Sequence, residues 1–242
     1  MPITPDNLGS LITAIGALGT ASFALVDSTK IGRNGGVSNS GFACIQTAVQ
    51  QFFPNATRDL PAATTGSGTP PPNDAKKLLD ILHGNWINGS PLADQKAIAK
   101  SLIKLRLTET TAADFADATS VDAVVLTQVA KKISTGASMD PAEINVYGRF
   151  DLALTAILDE GYQRADQKYR NSAKVLASIF AVALSLVGTW VITDPNTSLH
   201  RVDYVMAILC GLLATPLAPI AKDLTSALAA GVKVAQAIRK NA

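Results

Sequence analysis

Val175-Leu-Ala-Ser-Ile-Phe-Ala-Val-Ala-Leu-Ser-Leu-Val-Gly-Thr-Trp-Val-Ile192 contains no charged side chain. A helix that crosses the hydrocarbon of a bilayer needs about 20 apolar residues, and this stretch is of that order. Residues 204–221 and 8–26 form two further runs without a charge. The three runs predict an all-α integral membrane protein, with three transmembrane helices and a helical cytoplasmic domain between the first and the second. The mean hydropathy of +0.23 is high for a soluble chain, and it is unevenly spread: both ends are apolar, while the middle has ordinary helical-domain composition.

The expected order follows from these runs. Residues 1–27 form transmembrane helix 1. Residues 28–140 form the helical domain, with a mobile loop over 54–73, where Pro61-Ala-Ala-Thr-Thr-Gly-Ser-Gly-Thr-Pro-Pro-Pro72 has linker composition. Residues 141–193 form a long helix entering transmembrane helix 2, and 194–203 an outer hairpin. Residues 204–242 form transmembrane helix 3 and a C-terminal amphipathic helix.

Positive charge near span ends sets orientation. No Lys or Arg precedes the first run, whereas Lys30 and Arg33 follow it. Arg164, Lys168, Arg170 and Lys174 precede the second, and Lys222, Lys233, Arg239 and Lys240 follow the third, while the link between them holds only Arg201. The N-terminus is therefore expected outside, with the domain and C-terminus cytoplasmic, in an inner (cytoplasmic) membrane. Trp190 and Tyr204 then fall at one outer interface, where amphipathic rings settle. Met1–Asn7 lacks the positive charge of a secretory leader, so the first span is expected to be retained.

Helix starts are legible in the middle. Asn73 or Asp74 is expected to cap a helix to Leu82, Ser90 a helix to about Leu107 with Pro91 at its first position, and Ser120 a helix to Ile133. Asp140-Pro-Ala-Glu143 joins a capping box to an N1 proline. From Pro141 to Ile192 no breaker follows apart from Gly148 and Gly161, so one helix is predicted. Apolar spacing at Phe42, Ile45, Val49, Phe52 and Phe53 predicts a further helix over 40–53. The Gly-rich segment 27–41 does not match GxxxxGK[ST] and no strand precedes it, so it reads as a turn rather than a phosphate loop.

Chemistry is sparse. A net charge of +2 argues for no nucleic-acid partner. Cys44, Cys210, His83 and His200 follow no metal-ligand spacing, and no disulfide, metal or cofactor is implied. Asp159 and Glu160 are adjacent in a helix and so share no face. No Asp, Glu, Lys, Arg or His lies in the apolar runs, which argues against a proton relay. An enzyme is not expected.

Two features remain. Small residues recur every fourth position at Ala173, Ala177, Ala181, Ser185 and Thr189, and in the first run at Gly9, Thr13, Ala17 and Ala21 beside Gly16, Thr20 and Ala24. Such rows let helices in lipid approach closely, and they predict a homo-oligomer or membership of a larger membrane complex. Thr215, Pro216 and Pro219 mark an expected kink or gate in the third run, because each proline removes a helix hydrogen bond. The expected function is a structural or accessory integral membrane protein whose partners are the bilayer and its own copies or a complex; the alternative is an oligomeric channel or pore with a regulatory cytoplasmic domain.

Overall fold

In a computed structural model the chain is described over residues 5–32, 35–53, 74–193 and 200–219. Every regular element there is helical: α1 Pro5–Gly32, α2 Ser38–Gln50, α3 Asp74–Ile87, α4 Leu92–Lys104, α5 Ala112–Thr119, α6 Ala123–Thr135 and α7 Pro141–Ile192, followed by α8 Arg201–Pro219. The loop expected over 54–73, most of the hairpin at 194–203 and the amphipathic extension beyond residue 219 lie outside the described residues.

Two compact units divide the chain, residues 38–169 and residues 1–37 with 170–242. α7 belongs to both. Its 52 residues rise about 78 Å at 1.5 Å each. Its start is the capping box read from the sequence: the Glu143 amide donates to Asp140 Oδ1 at 2.9 Å, and the Asp140 amide donates to Glu143 Oε2 at 2.7 Å. Lys132 Nζ also donates to Glu143 Oε2, at 2.7 Å, tying α6 to the start of α7.

Unit 38–169 is a helical domain around one apolar core. Ile45, Phe52, Leu82, Ile103, Phe115, Leu126, Phe150 and Leu154 are all buried there. Phe115 holds its aromatic centre, edge-on to Phe52 and Phe53 and stacked on Phe150 at 6.2 Å. α2 lies antiparallel to α7 at a separation only small residues allow. A Cβ on Gly161 would stand 2.6 Å from that of Ala48, and one on Gly41 would stand 2.6 Å from the Ala165 carbonyl. Trp86 closes that end, its indole N–H donating to the Ser38 carbonyl at 2.9 Å.

α4 also runs antiparallel to α7, fixed by charge. Lys96 meets Asp159 at 2.6 Å, and Lys100 and Lys104 meet Asp151 at 2.7 and 3.0 Å. Burial alone would raise the Asp151 carboxyl, but hydrogen bonds and charge from the two lysines reverse this and hold its pKa below the usual value. Lys104 is desolvated, which alone would lower its pKa, yet Tyr147 and Asp151 hold it above its ordinary value.

Several expected boundaries move. Ser120 does not cap α6: it ends α5 in the left-handed region, at φ 54°, and Asp122 caps α6 by accepting from the Val125 amide at 2.9 Å. α4 starts at Leu92 with Pro91 as its N-cap, and the Ser90 carbonyl instead receives the Gln95 side-chain amide at 2.6 Å. α3 runs past Leu82 to Ile87 with Gly84 inside it, and the chain leaves the helix before Gly89, which has φ 70°. The Gly-rich segment is helical at both ends: α1 continues to Gly32, the chain turns at Gly35 and Gly36, and α2 begins at Ser38. Gly36 has φ 49°, where a Cβ would strike the Thr29 carbonyl at 2.6 Å.

Candidate functional site

The unit holding residues 1–37 and 170–242 contains α1, the last part of α7, and α8. Stretches of these three helices are long and apolar enough to cross a membrane: Leu11–Thr29, a window inside α7, and Arg201–Pro219. In lipid the apolar solvent no longer drives helices together, so close packing and satisfied hydroxyls must hold them.

α7 and α8 are antiparallel. A Cβ on Gly211 would lie 2.5 Å from Val182 Cα, and Ser178 Oγ and Thr215 Oγ1 are 3.1 Å apart in a hydrogen bond. α1 meets α8 at Gly19, where a Cβ would collide with the backbone carbonyl of Ala214 and stand 2.9 Å from Ala218 Cβ. Hydroxyls along these helices use their own backbone: Thr20 donates to the Gly16 carbonyl, Ser22 to that of Leu18, Ser178 to that of Lys174, and Thr189 to that of Ser185. Each group is thereby satisfied without water.

The row of small residues on α7 is partly covered by the chain itself. Ala177 and Ala181 are fully buried within the single subunit, and Ala173, Ser185 and Thr189 are half-buried. In α1, Gly16 is buried, but Thr20 and Ala24 are exposed, as are Thr13, Ala17 and Ala21. α1 therefore turns small residues outward over its middle, between exposed Leu11 and Leu25. α7 and α8 instead present large apolar side chains there, including Ile179, Val187, Leu209 and Leu213.

Gly19 and Gly211, the closest contact points, are in neither expected row. The buried residues of α8 are Ala207, Gly211, Ala214 and Ala218, spaced four, three and four apart. That heptad-like seam of small residues was present in the sequence, but a row of strict fourth positions does not detect it. At the expected kink the chain stays helical through Pro216 to Pro219. Thr215 sits beside it, bonded to Ser178.

Elsewhere, Asp159 and Glu160 turn to different partners, Lys96 of α4 and Arg164 one turn along α7. Cys44 and Cys210 are both free thiols. Among the described residues, no three His, Cys, Asp or Glu side chains group as a metal site. Buried Gln95 finds no partner for Oε1 among the described residues; the nearby Tyr162 hydroxyl donates to the Gln95 carbonyl only at 3.4 Å, and burial pushes the Tyr162 pKa upward. Comparison with known proteins finds no family model, no curated protein and no solved structure that matches this chain.

Proposed function

We propose that this chain is a structural or accessory integral membrane protein that anchors its helical domain to a bilayer and assembles with its own copies or within a larger complex. The observation that carries this reading is α7, one unbroken helix from the Asp140–Glu143 capping box into an apolar segment long enough to span. Lipid is the solvent for the large outward side chains of α7 and α8. The distribution of Lys and Arg supports a cytoplasmic domain and an outer N-terminus.

Assembly is supported by α1. Its outward face of Thr13, Ala17, Thr20, Ala21 and Ala24 suits close helix approach better than it suits acyl chains. In the α7 row Ala177 and Ala181 are buried within the chain, which leaves half-buried Ala173, Ser185 and Thr189 as its contribution to assembly. An oligomeric channel is the second reading, supported by the Ser178–Thr215 hydroxyl pair beside Pro216.

Mass measurement of the detergent-extracted complex, together with solute flux in liposomes of purified protein, tests both. A discrete multimer or a co-purifying complex without flux supports the structural reading. Selective flux at a set potential would replace it with the channel. A monodisperse single subunit with no companion sinks the assembly.

A further inference from the structure

α2 and the part of α7 it crosses border an open cleft of about 220 Å3. Buried Ala48 and Gly161 and half-buried Cys44 line it together with exposed Glu160, Arg164 and Lys168. The small residues that let α2 approach α7 also leave this hollow beside the crossing, because no long side chain fills it. The three charged residues follow one another at four-residue spacing and so share one face of α7. Glu160 engages Arg164 at 2.6 Å, with both side chains largely exposed, and such pairs exchange readily. Lys168 has no ion-pair partner among the described residues, unlike Lys96, Lys100, Lys104 and Lys132, each of which faces a carboxylate. The cleft thus carries a net single positive charge with a guanidinium and an ammonium one turn apart.

We propose that this cleft binds a phosphate group, with Arg164 forking onto two of its oxygens in exchange for Glu160 and Lys168 neutralising a third. A guanidinium matches two phosphate oxygens in its planar fork, whereas the lysine acts as a point charge. Lys168 lies close in sequence to the apolar run that begins at Val175, and the phosphate of a membrane lipid and a soluble phosphate share this chemistry.

Cys44 reports occupancy directly. The full chain carrying Cys210→Ser, reconstituted in phosphatidylcholine vesicles, is treated with the neutral reagent N-ethylmaleimide, and Cys44 modification is timed. Adding phosphatidylglycerol to the vesicles, or inorganic phosphate to the buffer, is expected to slow the reaction several-fold. Slowing by phosphatidylglycerol alone assigns a lipid headgroup, and slowing by inorganic phosphate alone or as well assigns a site open to soluble phosphate. The effect should vanish in R164Q/K168Q, strengthen in E160Q, where Arg164 is released, and persist in K131Q, which alters an exposed lysine of α6. No slowing by either probe, or equal slowing in R164Q/K168Q with its helix content intact, overturns the proposal.

Discussion

Gly19 of α1 lies against the backbone carbonyl of Ala214 in α8 so closely that no side chain fits between them. A glycine Cα–H directed at a carbonyl is a weak hydrogen bond in its own right, and here it marks where two apolar helices touch. Gly19→Leu is expected to force α1 off α8. Overpacking of a tight site costs about 1–3 kcal/mol, and backbone is a harder obstacle than a side chain. Gly188→Ala is the control, because a Cβ there meets nothing within 4 Å. Thermal melts of helix signal in detergent should show a clear loss for the first and none for the second.

Ala181→Leu and Ala21→Leu should separate subunit stability from assembly. Ala181 is fully buried inside the chain, so its enlargement lowers the melting temperature of every form, single subunits included. Ala21 is exposed on α1, and its enlargement should leave the subunit intact while shifting the mass seen by light scattering toward smaller species. If Ala21→Leu leaves the mass unchanged, α1 faces lipid and the assembly surface lies elsewhere.

Losing the capping box should weaken the helical domain at the start of α7. Asp140→Ala removes the acceptor for the Glu143 amide, a change that costs about 0.5–2 kcal/mol at helix N-caps. Glu143→Ala should cost more, because Lys132 Nζ and the Asp140 amide both lose their acceptor. Chemical denaturation followed by circular dichroism ranks the two, and an Asp140→Ala loss larger than that of Glu143→Ala would contradict this account.

Acid should act through Asp151. Its pKa is lower in the folded chain than in the unfolded one, so its stabilising contribution is present at neutral pH and fades as pH drops below about 4, through the folded value. Lys104 is shifted the other way; its contribution holds through neutrality and is lost only as pH rises past the ordinary lysine value, about 10.4. Asp151→Asn should therefore melt earlier than wild type at pH 7 and approach it near pH 3. Parallel melting curves at both pH values would remove Asp151 from the acid response.

Orientation can be read with cysteines introduced at Asn88, in the turn after α3, and at His200, just before α8. A membrane-impermeant maleimide applied to intact cells should label His200→Cys and spare Asn88→Cys, as the Lys and Arg distribution requires. The reverse pattern would place the domain outside.

What the sequence disclosed depended on the range of each signal. Both ends of α7 were legible, because a capping box and an N1 proline act over four residues and an apolar run declares itself. α5 was not: in Ala112–Thr119 the only large apolar residue is Phe115, too few for a period, although that ring becomes the aromatic centre of the core. Ser120 looked like a cap because Ser favours that role, but Asp122 two residues on took it once α5 claimed Ser120 for its own end. The glycine contacts were hidden for another reason. Which helix Gly19 or Gly211 meets depends on the pairing of segments nearly 200 and about 30 residues apart, and no local pattern encodes a partner at that distance. The Lys–Asp pairs of α4 and α7 belong to the same class, legible as charges but not as pairs.

Within the helical domain, α7 meets α4 and α2 at successive points along one continuous helix: Asp151 with Lys100, Asp159 with Lys96, and Gly161 with Ala48. Each residue added or removed between Asp151 and Asp159 would turn everything beyond it by about 100° and shift it by 1.5 Å. A single insertion there would carry Asp159 away from Lys96 and Gly161 away from Ala48 while leaving Asp151 with Lys100. This stretch of α7 is thus a ruler on which α2 and α4 are keyed at one register.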